Sequence, residues 1–221
     1  MKTLHSLSDI NMATVILCGG KSSRLNGEDK ALLKYNFNKT FIEKIIEECG
    51  RKVFISVSNK NKYISLLNNY NNIDFIEDIY KDIGPLSGIY SSFEKLGSDY
   101  IQFLSCDTPS VNKNFLEYMK DFSDDYHDAF IPVYNDKPYY LCSIYSKKIL
   151  NIIKENIENK KYRIKDLIGR IKAKYIILNI RYLILLISIL MKIIFLFKKL
   201  CLNILQFAVK GIRAKLLLFA I

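Results

Sequence analysis

Short apolar runs alternate with helical segments through the first half of this chain of 221 residues. Uninterrupted apolar runs are typical of buried parallel strands, whereas apolar residues spaced three and four apart indicate helices. The predicted strands are residues 13–20, 52–58, 73–78 and 100–107, and the predicted helices are residues 39–50 and 84–97. This alternation predicts an α/β fold, a three-layer Rossmann-like domain whose mostly parallel sheet is covered by helices on both faces.

Glycines or acidic residues stand where three of these strands are predicted to end. In parallel α/β sheets, ligands bind at the carboxyl ends of the strands. Gly19 and Gly20 form either an ordinary strand-to-helix turn or a backbone that a ligand approaches closely. Asp107 is either the cap of the next helix or an oxygen ligand for Mg²⁺. Asp78 presents the same choice between a turn residue and a ligand-binding group.

The loop after the first strand has the character of a phosphate-binding loop. It combines the paired glycines with three cations, Lys21, Arg24 and Lys30. Its Gly-Lys-Ser sequence suggests a Walker A motif, but that motif needs a glycine five residues earlier, where this chain has Val15. The sequence therefore predicts a phosphate-binding layout without the Walker geometry.

The net charge of +11 is concentrated at one end of the chain. All 22 acidic residues lie at or before Asp166, whereas ten of the 33 basic residues follow it. The first 166 residues are thus almost neutral, and they offer no basic stripe for a nucleic acid. We expect no nucleic-acid partner.

The cysteines and the N-terminal segment both predict a cytoplasmic location. The five cysteines form no CxxC pair and have no histidine at metal spacing, which predicts neither a zinc site nor a disulfide framework. The first eleven residues lack the apolar core of a secretory signal.

Three segments, in their order and spacing, resemble the molybdenum cofactor guanylyltransferase family of pyrophosphorylase-like nucleotidyltransferases. They read LCGGKSSRLNGEDKALL, IEDIYKDIGPLSGI and FLSCDTP. The first matches the family signature Leu-x-Gly-Gly-x-Ser-x-Arg-Met-Gly-x-x-Asp-Lys, with Leu25 in place of Met and Asn26 in place of Gly. The resemblance runs from about Thr14 to about Leu167, and it implies a nucleotidyltransferase domain over residues 12–175.

The resemblance implies transfer of GMP from GTP to the terminal phosphate of molybdenum-molybdopterin, with release of pyrophosphate. It implies Arg24, Lys30 and Asp107 as catalytic residues, with Asp107 also holding Mg²⁺. The implied partners are GTP, a molybdopterin-type cofactor and proteins of molybdoenzyme maturation. The implied nucleotide-binding residues are Leu17, Cys18, Gly19, Gly20, Lys30, Ser58, Asn59, Asp78 and Asp107.

Residues 176–221 form a basic, apolar tail without one acidic residue. Its longest charge-free runs, residues 182–191 and 200–209, have ten residues each, whereas a membrane-spanning helix needs about 20. A membrane partner is therefore not expected.

The tail also lacks the segment Asn-Ile-Asn-Thr-x-Glu-Asp that the family has near its C-terminus. A/T-rich codons for residues 185–195, read from their third base, spell Ile-Asn-Ile-Asn-Thr-Tyr-Glu-Asp-Tyr-Phe. We hypothesise that a frameshift between about Lys174 and Leu183 replaced the native C-terminus, which the DNA sequence across codons 170 to 200 tests.

Three other interpretations stay open at this point. The chain is a related nucleotidyltransferase that uses CTP or a sugar phosphate, an inactive remnant damaged in its tail, or a binding protein that the tail attaches to a membrane.

Overall fold

The computed structural model describes residues 11–19 and 29–178. Within these residues, eight strands form one sheet. The strands are β1 (Met12–Leu17), β2 (Val53–Val57), β3 (Ile73–Glu77), β4 (Tyr100–Ser105), β5 (Ala129–Tyr134), β6 (Lys137–Pro138), β7 (Ile144–Ser146) and β8 (Ala173–Ile177). The α-helices are α1 (Phe41–Cys49), α2 (Pro85–Leu96), α3 (Lys113–Lys120), α4 (Leu150–Glu158) and α5 (Ile164–Ile168). Short 3-10 helices occur at Lys30–Leu32, Lys60–Lys62, Ile64–Asn68 and Lys147–Ile149.

The sheet is mostly parallel, as the alternation of strands and helices predicts. Its order is β3-β2-β1-β4-β7-β5-β6, and β8 pairs with β5. Strands β1 to β4 run parallel, with β1 paired to both β2 and β4. Strand β7 lies antiparallel to β4 and β5, and β8 runs parallel to β5. The carboxyl ends of β3, β2, β1 and β4 therefore share one edge of the sheet.

Two hydrophobic clusters cover the two faces of the sheet. Successive strand residues point to opposite faces, so Ile16 packs with α1 and α3, whereas Val15 and Leu17 pack with α2, α4 and α5. Helices on both faces give the three layers that the sequence predicts.

The two predicted helices form where the sequence supplies their end signals. Helix α1 starts with a capping box, in which the Thr40 hydroxyl accepts from the backbone of Glu43 while the Glu43 carboxylate accepts from the backbone of Thr40. It ends at Gly50 in the left-handed conformation. Helix α2 begins with Pro85, whose missing N–H is not needed in a first turn.

Strand β8 continues to Ile177, two residues past the domain boundary predicted at residue 175. Among the described residues, no helix is both long and apolar enough to cross a membrane. The predicted tail lies outside the described residues from residue 179 onward, and so does the segment proposed to be read out of frame.

Phe103 provides a test of the packing between the sheet and α2. Its ring is fully buried and contacts the rings of Phe93 and Tyr145 edge to face. We expect Phe103→Ala to lower the free energy of unfolding by about 3–5 kcal/mol, because it leaves a cavity that the rigid sheet cannot close. Urea denaturation followed by circular dichroism measures the change.

The matched control is Phe37→Ala, since Phe37 is fully exposed. We expect a change within about 0.5 kcal/mol for this variant. Equal losses in the two variants would contradict the described packing.

Candidate functional site

The carboxyl edge of the four parallel strands brings together residues that are distant in sequence. Gly19 follows β1, Ser58 follows β2, Asp78 follows β3 and Asp107 follows β4. Strand β1 lies between β2 and β4, so the glycine stands at the middle of this edge. The edge is the place where ligands bind in open parallel sheets.

Gly19 and Asp78 touch each other across β2. A Cβ atom on Gly19 would lie 2.4 Å from Oδ2 of Asp78 and 3.3 Å from its Cγ. A methyl group at Gly19 would therefore collide with the carboxylate. Glycine at this position is required by the close approach of a side chain, which is neither of the two explanations that the sequence alone offered.

Asp78 is buried and held in one orientation. Its Oδ1 accepts a hydrogen bond of 2.8 Å from the Ser56 hydroxyl, and its backbone N–H donates to the carbonyl of Val57 at 2.9 Å. Burial raises the pKa of Asp78, although the Ser56 hydrogen bond and the positive charge of Lys81 act in the opposite direction. With Oδ1 bound to Ser56, Oδ2 faces Gly19.

Helix α2 fixes the loop that follows Asp78. The Ser91 hydroxyl accepts from the backbone N–H of Ile79 at 2.8 Å. The Ser87 hydroxyl accepts from the N–H of Tyr80 and donates to its carbonyl, at 3.1 and 2.6 Å. Sequence reasoning did not identify these serines, although two serines four residues apart on a buried helix face are a detectable signal.

Gly88 allows α2 to approach the strand ends closely. A Cβ atom there would lie 2.4 Å from the Ser56 hydroxyl and 2.9 Å from Cδ2 of Leu17. The conformation of the site thus depends on small residues in α2 as well as on Gly19.

Asp107 pairs with Lys30 at the end of β4. The Lys30 ammonium lies 3.7 Å from Oδ2 of Asp107, and the Ser105 hydroxyl donates to Oδ1 at 2.6 Å. The two side chains are 41% and 24% exposed, so both remain accessible to a ligand. The structure therefore brings together two of the three residues predicted to be catalytic.

Asp29 positions the short helix that carries Lys30. One carboxylate oxygen accepts from the backbone N–H of Ala31 at 3.1 Å and the other accepts from the Tyr63 hydroxyl at 2.6 Å. The acidic residue of the signature Asp-Lys pair has a structural role here, because it joins the Lys30 turn to the buried ring of Tyr63.

The remaining predicted residues differ in placement. Leu17 and Cys18 lie at the end of β1 beside Gly19. Ser58 and Asn59 are exposed at the same edge, where the Ser58 carbonyl accepts from the Lys81 ammonium at 2.9 Å. The Asn59 side chain accepts from the backbone of Asn61 at 2.9 Å, and so forms a local turn. Two further predicted residues, Gly20 and Arg24, lie outside the described residues.

The donor set restricts how a metal could bind. Within residues 11–19 and 29–178, no three or more His, Cys, Asp or Glu side chains are grouped to hold a metal. Asp78 is buried against Gly19, whereas the Asp107 carboxylate is accessible. One accessible carboxylate fits Mg²⁺, which completes its octahedron with water and substrate phosphate oxygens.

A cavity of about 450 Å³ adjoins Asp107 on the side of β4 away from β1. It is formed mainly by the segment that connects β6 to β7. Its lining residues are Ser105, Asp107, Thr108, Lys137, Tyr139, Tyr140, Leu141, Cys142 and Ile164. Asp107 therefore stands between the Lys30 turn and a cavity with two tyrosines and a lysine.

The three-layer sheet and the polar residues along its carboxyl edge define the class of α/β nucleotidyltransferases. The chain belongs to the family described as the MobA-like NTP transferase domain, whose model matches residues 14–174. The family resemblance carried by the three sequence motifs is thereby confirmed.

Individual relatives agree with this assignment. The chain is 37% identical over 157 residues to a protein of Clostridium perfringens (strain SM101 / Type A) named "probable molybdenum cofactor guanylyltransferase", which covers 70% of this chain and 76% of that protein. A protein of Flavobacterium johnsoniae with the same name is 35% identical over 173 residues, or 76% of this chain and 85% of that protein. A crystal structure from Aquifex aeolicus VF5 aligns with a TM-score of 0.65 and 26% identity over 80% of this chain and 91% of that chain.

The contact between Gly19 and Asp78 predicts a specific coupling. We expect Gly19→Ala to lower the free energy of unfolding by about 1–3 kcal/mol, because the added methyl group overpacks against Asp78. In an Asp78→Ala background the carboxylate is absent, and the same change should cost less than about 0.5 kcal/mol. A double-mutant cycle measured by urea denaturation gives the coupling.

Gly169→Ala is the matched control, since its added Cβ would lie 3.6 Å from the nearest atom, an ordinary contact. We expect no loss of stability there. If Gly19→Ala had the same cost in both Asp78 backgrounds, the proposed collision would be wrong.

Proposed function

We propose that this chain transfers GMP from GTP to the terminal phosphate of a molybdopterin-type cofactor and releases pyrophosphate, in an Mg²⁺-dependent reaction of molybdenum cofactor maturation. The observation that carries the proposal is the position of Asp107. It pairs with Lys30 on one side and lines a separate cavity on the other. A transferase needs such an arrangement, because donor and acceptor must meet at one reacting phosphate.

The nucleotide is proposed to lie along the edge formed by β3, β2 and β1. The backbone of Leu17, Cys18 and Gly19 contacts the nucleoside, and the oriented carboxylate of Asp78 contacts the guanosine portion. Lys30 places its positive charge next to the triphosphate, and Arg24 and Gly20 keep the roles that the resemblance implies. Support comes from the accessible Lys30 ammonium and the fixed position of Asp78.

Asp107 would hold Mg²⁺ together with phosphate oxygens. When bound, Mg²⁺ neutralises negative charge on the triphosphate and on the departing pyrophosphate. Ser105 orients the carboxylate through its hydrogen bond to Oδ1, which leaves Oδ2 to face the ligand and Lys30.

The cavity beside Asp107 is proposed to accept the molybdopterin-type cofactor. Tyr139 and Tyr140 offer aromatic surface to a planar heterocycle, and Lys137 offers a cation for its phosphate. An oxygen of the acceptor phosphate attacks the α-phosphorus of GTP, and the bond from that phosphorus to the β-phosphate oxygen breaks. Two phosphates react directly, so the protein supplies positioning and charge and no nucleophile of its own.

The domain that carries this activity is proposed to extend through residue 178, because β8 pairs with β5 as far as Ile177. A cytoplasmic location is proposed from cysteine chemistry, since Cys18, Cys49, Cys106 and Cys142 are free thiols in the described part of the chain. Molybdoenzyme maturation proteins are the proposed recipients of the product.

Substitution of Asp107 tests the metal assignment. We expect Asp107→Ala to abolish Mg²⁺-dependent transfer, a fall of about 100-fold or more, because the remaining side chains cannot hold the metal at the triphosphate. Pyrophosphate release from GTP in the presence of the molybdopterin acceptor measures the rate.

Asp99→Ala serves as the control for Asp107→Ala. Asp99 is an exposed aspartate that precedes β4 and so lies at the opposite edge of the sheet. It should keep the rate of the unmodified protein. Turnover near the normal rate in Asp107→Ala would remove this residue from the metal site.

Substitution of Lys30 tests nucleotide binding. We expect Lys30→Ala to weaken GTP binding by about 10-fold, the effect of losing one charged contact with phosphate. Displacement of a fluorescent GTP analogue by GTP and by CTP gives both the affinity and the base preference. Lys147→Ala is the control, because Lys147 is an exposed cation at the opposite edge.

An unchanged GTP affinity in Lys30→Ala would contradict the role of Lys30. Displacement by CTP at lower concentration than by GTP would instead favour a cytidylyltransferase.

A further inference from the structure

Two cysteines face each other where β1 and β4 leave the sheet. The parallel register pairs Leu17 with Ser105, so Cys18 and Cys106 form the next pair. The ladder continues at this point, because the backbone N–H of Cys106 donates to the Leu17 carbonyl at 3.2 Å. Equivalent positions on adjacent strands point to the same face, and both thiols pack into the cluster that α1 and α3 cover.

The spacing of the two strands suits a disulfide bond. Adjacent strands lie about 4.8 Å apart, and cysteines joined by a disulfide have Cα atoms about 4.4–6.8 Å apart. The thiols also interact electrostatically. Burial raises the pKa of the Cys18 thiol well above its ordinary value, and a hydrogen bond with Cys106 and the charge of Cys106 raise it further.

The two thiols differ in accessibility. Cys18 is buried, with 8% of its surface exposed, whereas Cys106 is partly buried and follows the last residue of β4. An oxidant in solution reaches Cys106 first. Cys18 is then the neighbour that can complete the bond.

We propose that Cys18 and Cys106 are a redox-active dithiol whose oxidation to a disulfide joins β1 to β4 and disables the site, an inference that rests on the proposed function for its consequence. The oxidant is a hydroperoxide. The Cys106 sulfur attacks one peroxide oxygen and breaks the O–O bond, which gives a sulfenic acid and water when hydrogen peroxide is used. The Cys18 sulfur then displaces the sulfenic oxygen as a second water, so two thiols and one peroxide yield one disulfide and two waters.

The bridge would disturb the site because each cysteine precedes a site residue. Gly19 follows Cys18, and its contact with Asp78 leaves no space for movement toward the carboxylate. Asp107 follows Cys106 and pairs with Lys30. Drawing the two sulfurs together therefore shifts the glycine backbone and the Asp107 carboxylate at the same time.

A second connection reaches Lys30 through Tyr63. The ring of Tyr63 is buried, and burial together with the charges of Cys18, Asp29 and Cys106 raises the pKa of its hydroxyl. That hydroxyl donates to Asp29, the residue that caps the Lys30 turn. A disulfide formed beside this ring would displace it, and the turn with it.

The experiment treats the reduced full chain with hydrogen peroxide and follows two readouts. Intact mass and peptide mapping should show the loss of two hydrogen atoms and a peptide pair joined through Cys18 and Cys106. Displacement of a fluorescent GTP analogue should show an affinity about 10-fold lower, because a misplaced site loses its positioning. Dithiothreitol should restore both readouts.

Cys106→Ser should bind GTP as the reduced chain does and keep that affinity after peroxide. Cys49→Ala is the matched control, since Cys49 is a buried thiol on α1, and it should respond to peroxide as the unmodified chain does. Absence of the Cys18–Cys106 peptide pair would overturn the dithiol, and so would a full loss of affinity in peroxide-treated Cys106→Ser.

The outcome for the proposed function is separate. A reduced chain that binds no GTP would contradict that function and remove the switch, while the peptide map still decides whether the disulfide forms. A reduced chain that binds GTP and keeps the same affinity after complete bridging would overturn the switch alone.

Discussion

The pairing of β1 with two parallel neighbours is the constraint on which the candidate site depends. Because β2 and β4 both run parallel to β1, the chain leaves all three strands at the same edge. Gly19 is thereby placed between the Asp78 loop and the Asp107 loop, although 59 and 88 positions separate it from them in sequence. Parallel strands need crossover connections, and α1 and α2 supply them from opposite faces. Any slip in the pairing of β1 would separate the two carboxylates from the glycine.

The site stores an unfavourable interaction in Asp78. A buried carboxylate is costly when it is charged, and burial raises the pKa of Asp78 in the folded chain. A group whose pKa is raised on folding contributes stability at pH values below its unfolded pKa, and that contribution is lost as the pH rises through the folded pKa. At neutral pH the charged Asp78 therefore works against folding, and the Ser56 hydrogen bond and Lys81 only reduce this cost. Such a cost is common at binding sites, where a ligand that donates to the carboxylate relieves it.

The sequence predicted the elements with strong local signals and missed those that depend on tertiary pairing. Strands β1 to β4 and helices α1 and α2 were predicted because apolar runs, a Thr-x-x-Glu capping box and terminal glycines are local features. Strands β6 and β7 have two and three residues, too few for a period to be detected. The insertion of β7 between β4 and β5 has no local signature at all. For the same reason the sequence indicated Asp78 and Gly19 separately but could not show that one requires the other.

Strand β8 bears on the hypothesis that the C-terminal tail is read out of frame. Its residues fit the sheet one by one: Tyr175 and Ile177 are exposed, whereas Ile176 and Leu178 are buried in the core that α1 and α3 cover. The backbone N–H of Leu178 still donates to the Val133 carbonyl at 2.8 Å. A segment translated in the wrong frame has no physical reason to alternate in register with β5, because the period of two arises from selection for one buried face. The reading frame is therefore native through Leu178, and the hypothesised change lies between Leu178 and Leu183 rather than anywhere after Lys174.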